Sequence, residues 1–404
     1  MRILHTSDWH IGAELEGLSR EDEHEFFFDW LVETLQTRAI DVLLIAGDVF
    51  HQENPSAAAQ QQWYRVLTRL AAIPTLRQIV VIGGNHDSAS RLEAPREILA
   101  AFKVHVVGGW SSADRERVFV PIAADDGSVS MVVVAVPYVS GHRIGVSTFG
   151  KDVEAIRAQT VTAFTDLYTS LAHDAKARWP GAAIVGMGHL TCEGAQDDDY
   201  QTPLHHVGTI AGLPGSVFCE DYAYVALGHI HRAYPVSGSR ARYSGSPIGL
   251  RFTPSEMAAR RVVFAELNPQ SGECAAKSEE IPRFRELREL RFTESAMEEA
   301  LKALTPSTPG GALVQLVVLR NSPMPDAQSY YQELAPALVR VVSVRFEDPS
   351  AMSLEERFAI AAPAVHEVTP ERVFDYFFQK KIGREPLLEE RLAFEEALQG
   401  AEVK

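Results

Sequence analysis

Short apolar runs alternate with longer amphipathic stretches through the first part of the chain. Runs at 2–6, 41–46, 78–83, 131–136, 183–188 and 222–228 predict strands. Between the first two, Phe27, Trp30, Leu31 and Leu35 recur at helical spacing, which predicts a helix over 21–37. Ser19 followed by Asp22 would cap it in an acidic variant of the capping box. A second helix is expected over 57–72. Such alternation points to an α/β domain. Apolar runs flank Asp125-Asp126-Gly127 and read as a hairpin over 121–129, so this domain should be antiparallel in places.

The pattern changes near Ile281-Pro282. A strand over 286–293, a helix over 294–304, a strand over 313–320, a helix over 326–338 and a strand over 340–348 then predict a small βαβαβ unit. From Thr369 onward two amphipathic helices are expected. One carries Val373, Phe374, Phe377 and Phe378; the other carries Leu387, Leu388, Leu392, Phe394 and Leu398. The boundaries expected are 1–281, 282–350 and 351–404.

Composition narrows this little. At 404 residues the chain exceeds the size at which one core usually keeps growing. Met1 to His5 starts no long apolar stretch, and 131–136 is far too short to span a bilayer. Cys192, Cys219 and Cys274 are scattered, which argues against a disulfide framework or a zinc ribbon. A cytoplasmic protein is the simplest expectation. The formal charge of −16 counts against tight DNA binding by this chain alone.

The chemistry gathers where strands end. Asp8-Trp9-His10 follows the first run, Gly47-Asp48-Val49-Phe50 the second, and Gly83-Gly84-Asn85-His86-Asp87 the third. Gly188-His189 and Gly228-His229-Ile230-His231 end two later runs. Singly, a Gly-Asp or Gly-His pair is usually a turn, and Asn-His-Asp a polar loop. Together they set carboxylate, amide and imidazole groups at the carboxyl ends of strands, where open α/β sheets bind ligands. With no thiolate in the set, Mn²⁺, Fe²⁺ or Zn²⁺ in a two-metal centre fits best, with Asp48 as the bridging candidate. His229 and His231 lie two apart, so on an extended segment they would share a face.

The blocks DWH, GDVF, GGNHD, GHL and GHIH resemble the calcineurin-like metallophosphoesterase superfamily. More narrowly, MRILHTSDWHIG, GNHDS with Arg91 soon after, and LGHIHRA followed by YSGSP resemble the SbcD family of bacterial nuclease subunits. The resemblance implies a metallophosphoesterase β-sandwich flanked by helices, a small α+β capping domain and a C-terminal helix pair. It implies one metal on Asp8, His10, Asp48 and His231, and another on Asp48, Asn85, His189 and His229, Mn²⁺ being the ion expected. His86 would protonate the leaving 3′-oxygen, Asp87 would support His86, and His51 would help to place the phosphodiester. It further implies exonuclease action on double-stranded DNA and endonuclease action on single strands or hairpins. The implied partner is an SbcC-like SMC-type ATPase whose coiled coil meets the C-terminal helices, within a heterotetramer built on a homodimer. Phosphomonoester or cyclic-nucleotide hydrolysis is the alternative activity, and a non-catalytic scaffold the alternative of another class.

Other signals are weaker. His5 reads as core, and His205-His206 stand at no strand end. Gly145 to Lys151 has phosphate-loop spacing, but Asp152 stands where Mg²⁺ binding needs a hydroxyl. Arg283, Arg285, Arg288 and Arg291 alternate with Glu286 and Glu289, as on a solvated face.

Overall fold

The computed structural model describes residues 1–195, 212–320 and 322–348, with Phe378, Arg384, Pro386, Leu387 and Glu390. The described residues form two compact units. The first comprises Met1–Arg288, Pro306–Leu313 and Leu338–Val342; the second comprises Glu289–Thr305, Val314–Ala337 and the described part of Ser343–Lys404.

The strands of the first unit are β1 (Arg2–Thr6), β2 (Val42–Ala46), β3 (Gln78–Ile82), β4 (Val104–Val107), β5 (Phe119–Ala123), β6 (Val129–Ala135), β7 (Ala183–His189), β8 (Tyr222–Gly228), β9 (Tyr234–Pro235), β10 (Ala241–Tyr243), β11 (Arg261–Leu267) and β12 (Cys274–Glu280). They make two six-stranded sheets, ordered β12-β11-β1-β2-β3-β4 and β9-β10-β8-β7-β6-β5. β1 to β4 run parallel, as do β6, β7, β8 and β10. β5 pairs antiparallel with β6, as the hairpin reading expects.

Strand periodicity explains the layers. Ile3, Val42, Leu44 and Ala46 belong to a core that includes Val132, Val134, Val185 and Val225 of the second sheet. Leu4, Leu43 and Ile45 point the opposite way, toward helices α1 (Glu21–Thr37) and α2 (Ala57–Ala71), among Phe27, Phe28, Leu31, Trp63 and Leu67. β2 is thus buried on both faces and reads as an unbroken apolar run. Leu167, Tyr168 and Leu171 of α3 (Val153–Arg178) join the core that holds the second sheet's strands.

One expectation needs adjustment. The N-cap of α1 is Arg20, which makes no side-chain capping bond of its own, while Ser19 Oγ one residue earlier accepts from Glu21 N at 3.3 Å. Arg20 is buried, its Nε donating to Glu23 and its guanidinium to the Gly249 carbonyl, which fixes the chain one residue later. Asp152 of the phosphate-loop look-alike is the N-cap of α3, accepting from Ala155 N at 2.7 Å.

β13 (Glu286–Thr293), β14 (Ala312–Leu319) and β15 (Val339–Glu347) form a three-stranded sheet in that order. The second unit holds most of it, with α4 (Glu294–Lys302) and α5 (Ala327–Leu334), whose Met297, Leu301 and Tyr331 are buried. The arginine run is engaged internally. Arg285 meets Asp22 and Glu23, Arg288 meets Glu286, and Arg291 meets Glu347. His205, His206 and the helices expected beyond Thr369 lie outside the described residues. No helix among the described residues is long and apolar enough to cross a membrane.

Candidate metal centre

The five strand ends belong to both sheets: β1, β2 and β3 to one, β7 and β8 to the other. Their loops interlock, with Asp8 N donating to Gly47 O, His10 N to Asp48 O and Tyr138 N to Gly83 O. Asp8, His10, Asp48 and His229 all have positive φ, at 51°, 47°, 49° and 97°. That region is sparsely used by residues other than glycine and costs on the order of 1–3 kcal/mol each, so the surrounding contacts must hold it. His229 is therefore not extended, and the expectation that His229 and His231 share one face is corrected: their imidazoles fall in different clusters.

One cluster brings together Asp8, His10 and His231, and a second Asp48, His189 and His229, each with ligand atoms within 4.8 Å. Asn85 joins the second, its Oδ1 lying 3.1 Å from His189 Nε2 and 2.9 Å from His229 Nδ1. Asp48 connects the two. Its Oδ1 accepts from His86 N at 2.9 Å, while Oδ2 lies 3.4 Å from His189 Nε2 and 3.6 Å from His10 Nε2. That Oδ2 and His10 Nδ1 are buried without a hydrogen-bond partner. Buried polar atoms are normally satisfied. Two buried carboxylates, four imidazoles and an amide oxygen gathered at one place make a donor set that divalent cations fit.

Electrostatics agree. Burial raises the Asp8 carboxyl. Burial would raise that of Asp48 too, but His189, His10 and His86 pull it well below the usual range. Burial would lower the His189 imidazole, yet the Asp48 charge holds it up at about 9. Burial keeps His10 and, more mildly, His51 below the ordinary histidine value.

Glycines let the groups close. A Cβ on Gly47 would stand 2.2 Å from His189 Nδ1, and one on Gly84 2.1 Å from Asp48 Oδ1.

His86 lies beside these two clusters and forms a third close group with His10 and His51, its ring 5.0 Å from that of His10 and stacked 5.9 Å from that of His51. His86 Nδ1 sits 3.0 Å from the His51 carbonyl. Asp87 contacts the backbone around this residue rather than its ring. The Asp87 carboxylate accepts from Val49 N, Phe50 N and Gly84 N at 3.1, 2.9 and 2.9 Å, and so joins the two loops. Burial and the nearby Asp48 push the Asp87 carboxyl up to about 6 against those three donors.

Residues not singled out from the sequence complete the site. Ser246 Oγ donates to the Asp8 carbonyl, and Ser7 Oγ meets Asp8 Oδ2 and Ser244. Glu256 Oε1 lies 2.9 Å from His231 Nδ1. Tyr138 stands edge-on to His189 at 6.4 Å. Ser244 and Ser246 fall within the YSGSP block, but no local pattern links Glu256 or Tyr138 to the strand ends.

Fold and donor set together define a metallophosphoesterase. Residues 1–233 match the calcineurin-like phosphoesterase family model, and the chain belongs to that family. More narrowly, it is similar to proteins named as the SbcD component of the SbcCD nuclease, as the sequence blocks suggest. That of Rhodobacter capsulatus is 38% identical over 264 residues, covering 62% of this chain and 62% of that protein. That of Escherichia coli K12 is 38% identical over 255 residues, with the same two shares. That of Bacillus subtilis is 32% identical over 276 residues, 67% of each chain. The matched stretch thus spans about 62% of the length of the first two relatives.

Proposed function

We propose that the chain is the nuclease subunit of a DNA end-processing complex, a metal-dependent phosphodiester hydrolase. The observation that carries this is the meeting of two ligand clusters at Asp48 Oδ2 with the His86 imidazole beside them. Relatives named as nuclease components supply the substrate class. Asp8, His10, Asp48 and His231 would hold one ion, and Asp48, Asn85, His189 and His229 the other. Mn²⁺ is the ion proposed. Bound there, such ions act as Lewis acids toward the phosphoryl oxygens.

The rest is the work of this chain. Loops from two sheets fix the ligands, so no ligand has to move to receive charge. His86 Nδ1 donates to the His51 carbonyl, which leaves Nε2 as the other ring nitrogen; in its imidazolium form the ring would pass the Nε2 proton to the leaving 3′-oxygen and keep the one on Nδ1. The His51 ring, stacked on His86, would place the phosphodiester, and Asp87 would hold the loop that carries both.

In this reading residues 1–281 form the nuclease domain, 282–350 a capping domain and 351–404 a helix pair that docks on the coiled coil of an SbcC-like SMC-type ATPase. The assembly is a heterotetramer built on a homodimer, acting as a double-strand exonuclease and a single-strand or hairpin endonuclease. The acidic balance fits a subunit whose partner supplies DNA affinity; tight, salt-sensitive DNA binding by the isolated chain would count against it.

The test is cleavage of a labelled hairpin duplex by wild type and His86→Ser, with and without Mn²⁺, ATP and the ATPase. Cleavage that needs Mn²⁺ and is lost in the variant supports the reading. Turnover of a phosphate monoester, with no hairpin cleavage even beside the ATPase, replaces it with a small-molecule phosphoesterase.

A further inference from the structure

We propose that Glu256 is a positioning residue for the Asp8–His10–His231 cluster, holding His231 in the tautomer and orientation that present Nε2 to a metal ion. The inference rests on the reading of that cluster as a metal site. Both side chains are buried, and His231 Nδ1 lies 2.9 Å from Glu256 Oε1. A carboxylate accepts only, so the shared proton resides on Nδ1 and the lone pair on Nε2. Nε2 faces the cluster, 3.1 Å from His10 Nε2.

Glu256 is itself held from several sides. Oε2 accepts from Leu250 N at 2.6 Å, and Oε1 from Arg251 Nε at 3.0 Å. The buried Arg260 donates to the carbonyls of Ser255 and Glu256 at 3.0 Å and also to the carbonyl of His231. One guanidinium therefore fixes the backbones of both the imidazole and its acceptor. Such an arrangement is more than burial requires, because an apolar side chain could fill the same space without needing these partners.

The two clusters differ in what backs their histidines. His189 Nδ1 has a neutral acceptor, the Ala46 carbonyl at 2.9 Å. His231 has a full carboxylate. A negative charge behind the ring makes its far nitrogen a stronger donor, and losing such support typically costs about 10–100-fold in metal affinity. The effect should fall on one ion only.

Calorimetric titration of Mn²⁺ into the full chain tests this with wild type, Glu256→Gln, His231→Gln and the double variant. The expected result is two binding events in wild type, one of them weakened about 10–100-fold by Glu256→Gln. No further weakening is expected when that change is added to His231→Gln, because Glu256 acts through His231. Equal weakening in both backgrounds, or none in wild type, overturns the role of Glu256 and leaves the metal site standing. No Mn²⁺ binding by wild type overturns the metal reading beneath it. A second measurement needs no variant: two-bond ¹⁵N–¹H spectra of the metal-free wild type should show His231 protonated on Nδ1. A neutral ring protonated on Nε2 alone overturns the proposal.

Discussion

The carbonyl oxygen of His51 accepts from His86 Nδ1 at 3.0 Å, so a backbone atom, rather than a carboxylate, sets the direction of the His86 ring. Because the acceptor is main chain, it survives any change of the His51 side chain. His86→Ser is expected to lower hairpin cleavage by roughly 10²–10⁴-fold while leaving Mn²⁺ affinity near that of wild type. His51→Ala should leave the His86 ring in place and act mainly on KM. Single-turnover kinetics beside calorimetry would check both, and a loss of metal binding in His86→Ser would contradict the assignment.

Asp87 receives three backbone N–H groups from two loops. In Asp87→Asn one acceptor oxygen becomes an NH₂ facing N–H donors. Each buried donor left unsatisfied costs about 1–3 kcal/mol. Urea unfolding of the variant should show that scale of loss, together with weaker Mn²⁺ binding as the loops bearing Asp48 and Asn85 loosen.

Gly47 and Gly84 should resist replacement for reasons of space. Gly47 also has φ +92°, which a side chain seldom adopts. Gly47→Ala must displace the His189 ring, and Gly84→Ala the Asp48 carboxylate. Both are expected to lose Mn²⁺ affinity by at least tenfold while the far-ultraviolet circular dichroism stays close to wild type. Wild-type affinity in either would refute the close approach.

Acid should destabilise the metal-free protein through two buried histidines away from the ligand set. Burial lowers His5 to about 3 and His24 to about 4, in spite of carbonyl acceptors at Leu227, and at Trp9 and Arg20. Both folded values lie below the unfolded value of 6.5, so the unfolded chain binds protons that the fold refuses. Their stabilising contribution is complete above pH 6.5 and falls as pH drops, until His24 itself protonates near 4 and His5 near 3. For His24 the loss is about 3 kcal/mol, at about 1.36 kcal/mol per pH unit. Chemical unfolding with chelator present, from about pH 7 to about pH 4.5, should show the decline, and His24→Gln should flatten it.

The first unit was readable in its elements and less so in their joining. The helix over 21–37 and the strands at 2–6 and 222–228 stand where apolar spacing places them, because those runs are buried against both neighbours. The ligand types were legible because Asp8, Asp48, Asn85, His189 and His229 each follow or end a strand. Their division between two sheets was not, since periodicity records burial but not which sheet a strand enters. The extended backbone supposed at His229 did not hold, since its φ is positive, although the division of His229 and His231 between two sets follows the resemblance. The N-cap position falls on Arg20, whose guanidinium bonds to Gly249 far along the chain, a partner that the local pattern does not reveal. Glu256 was invisible for a similar reason: its partner lies 25 residues earlier, joined to it only by folding.

That the ligands come from β1, β2 and β3 on one side and β7 and β8 on the other bears on synthesis. A chain emerging from the ribosome offers Asp8, His10, Asp48 and Asn85 early, but neither cluster can close until the later sheet has formed. His231 is the last ligand to appear, and Glu256 follows it. A nascent chain halted before His231 carries three of the four imidazoles but cannot complete the cluster of Asp8 and His10. In the proposed reading, metal loading would therefore report that both sheets have formed, and a stalled fragment would lack a complete centre.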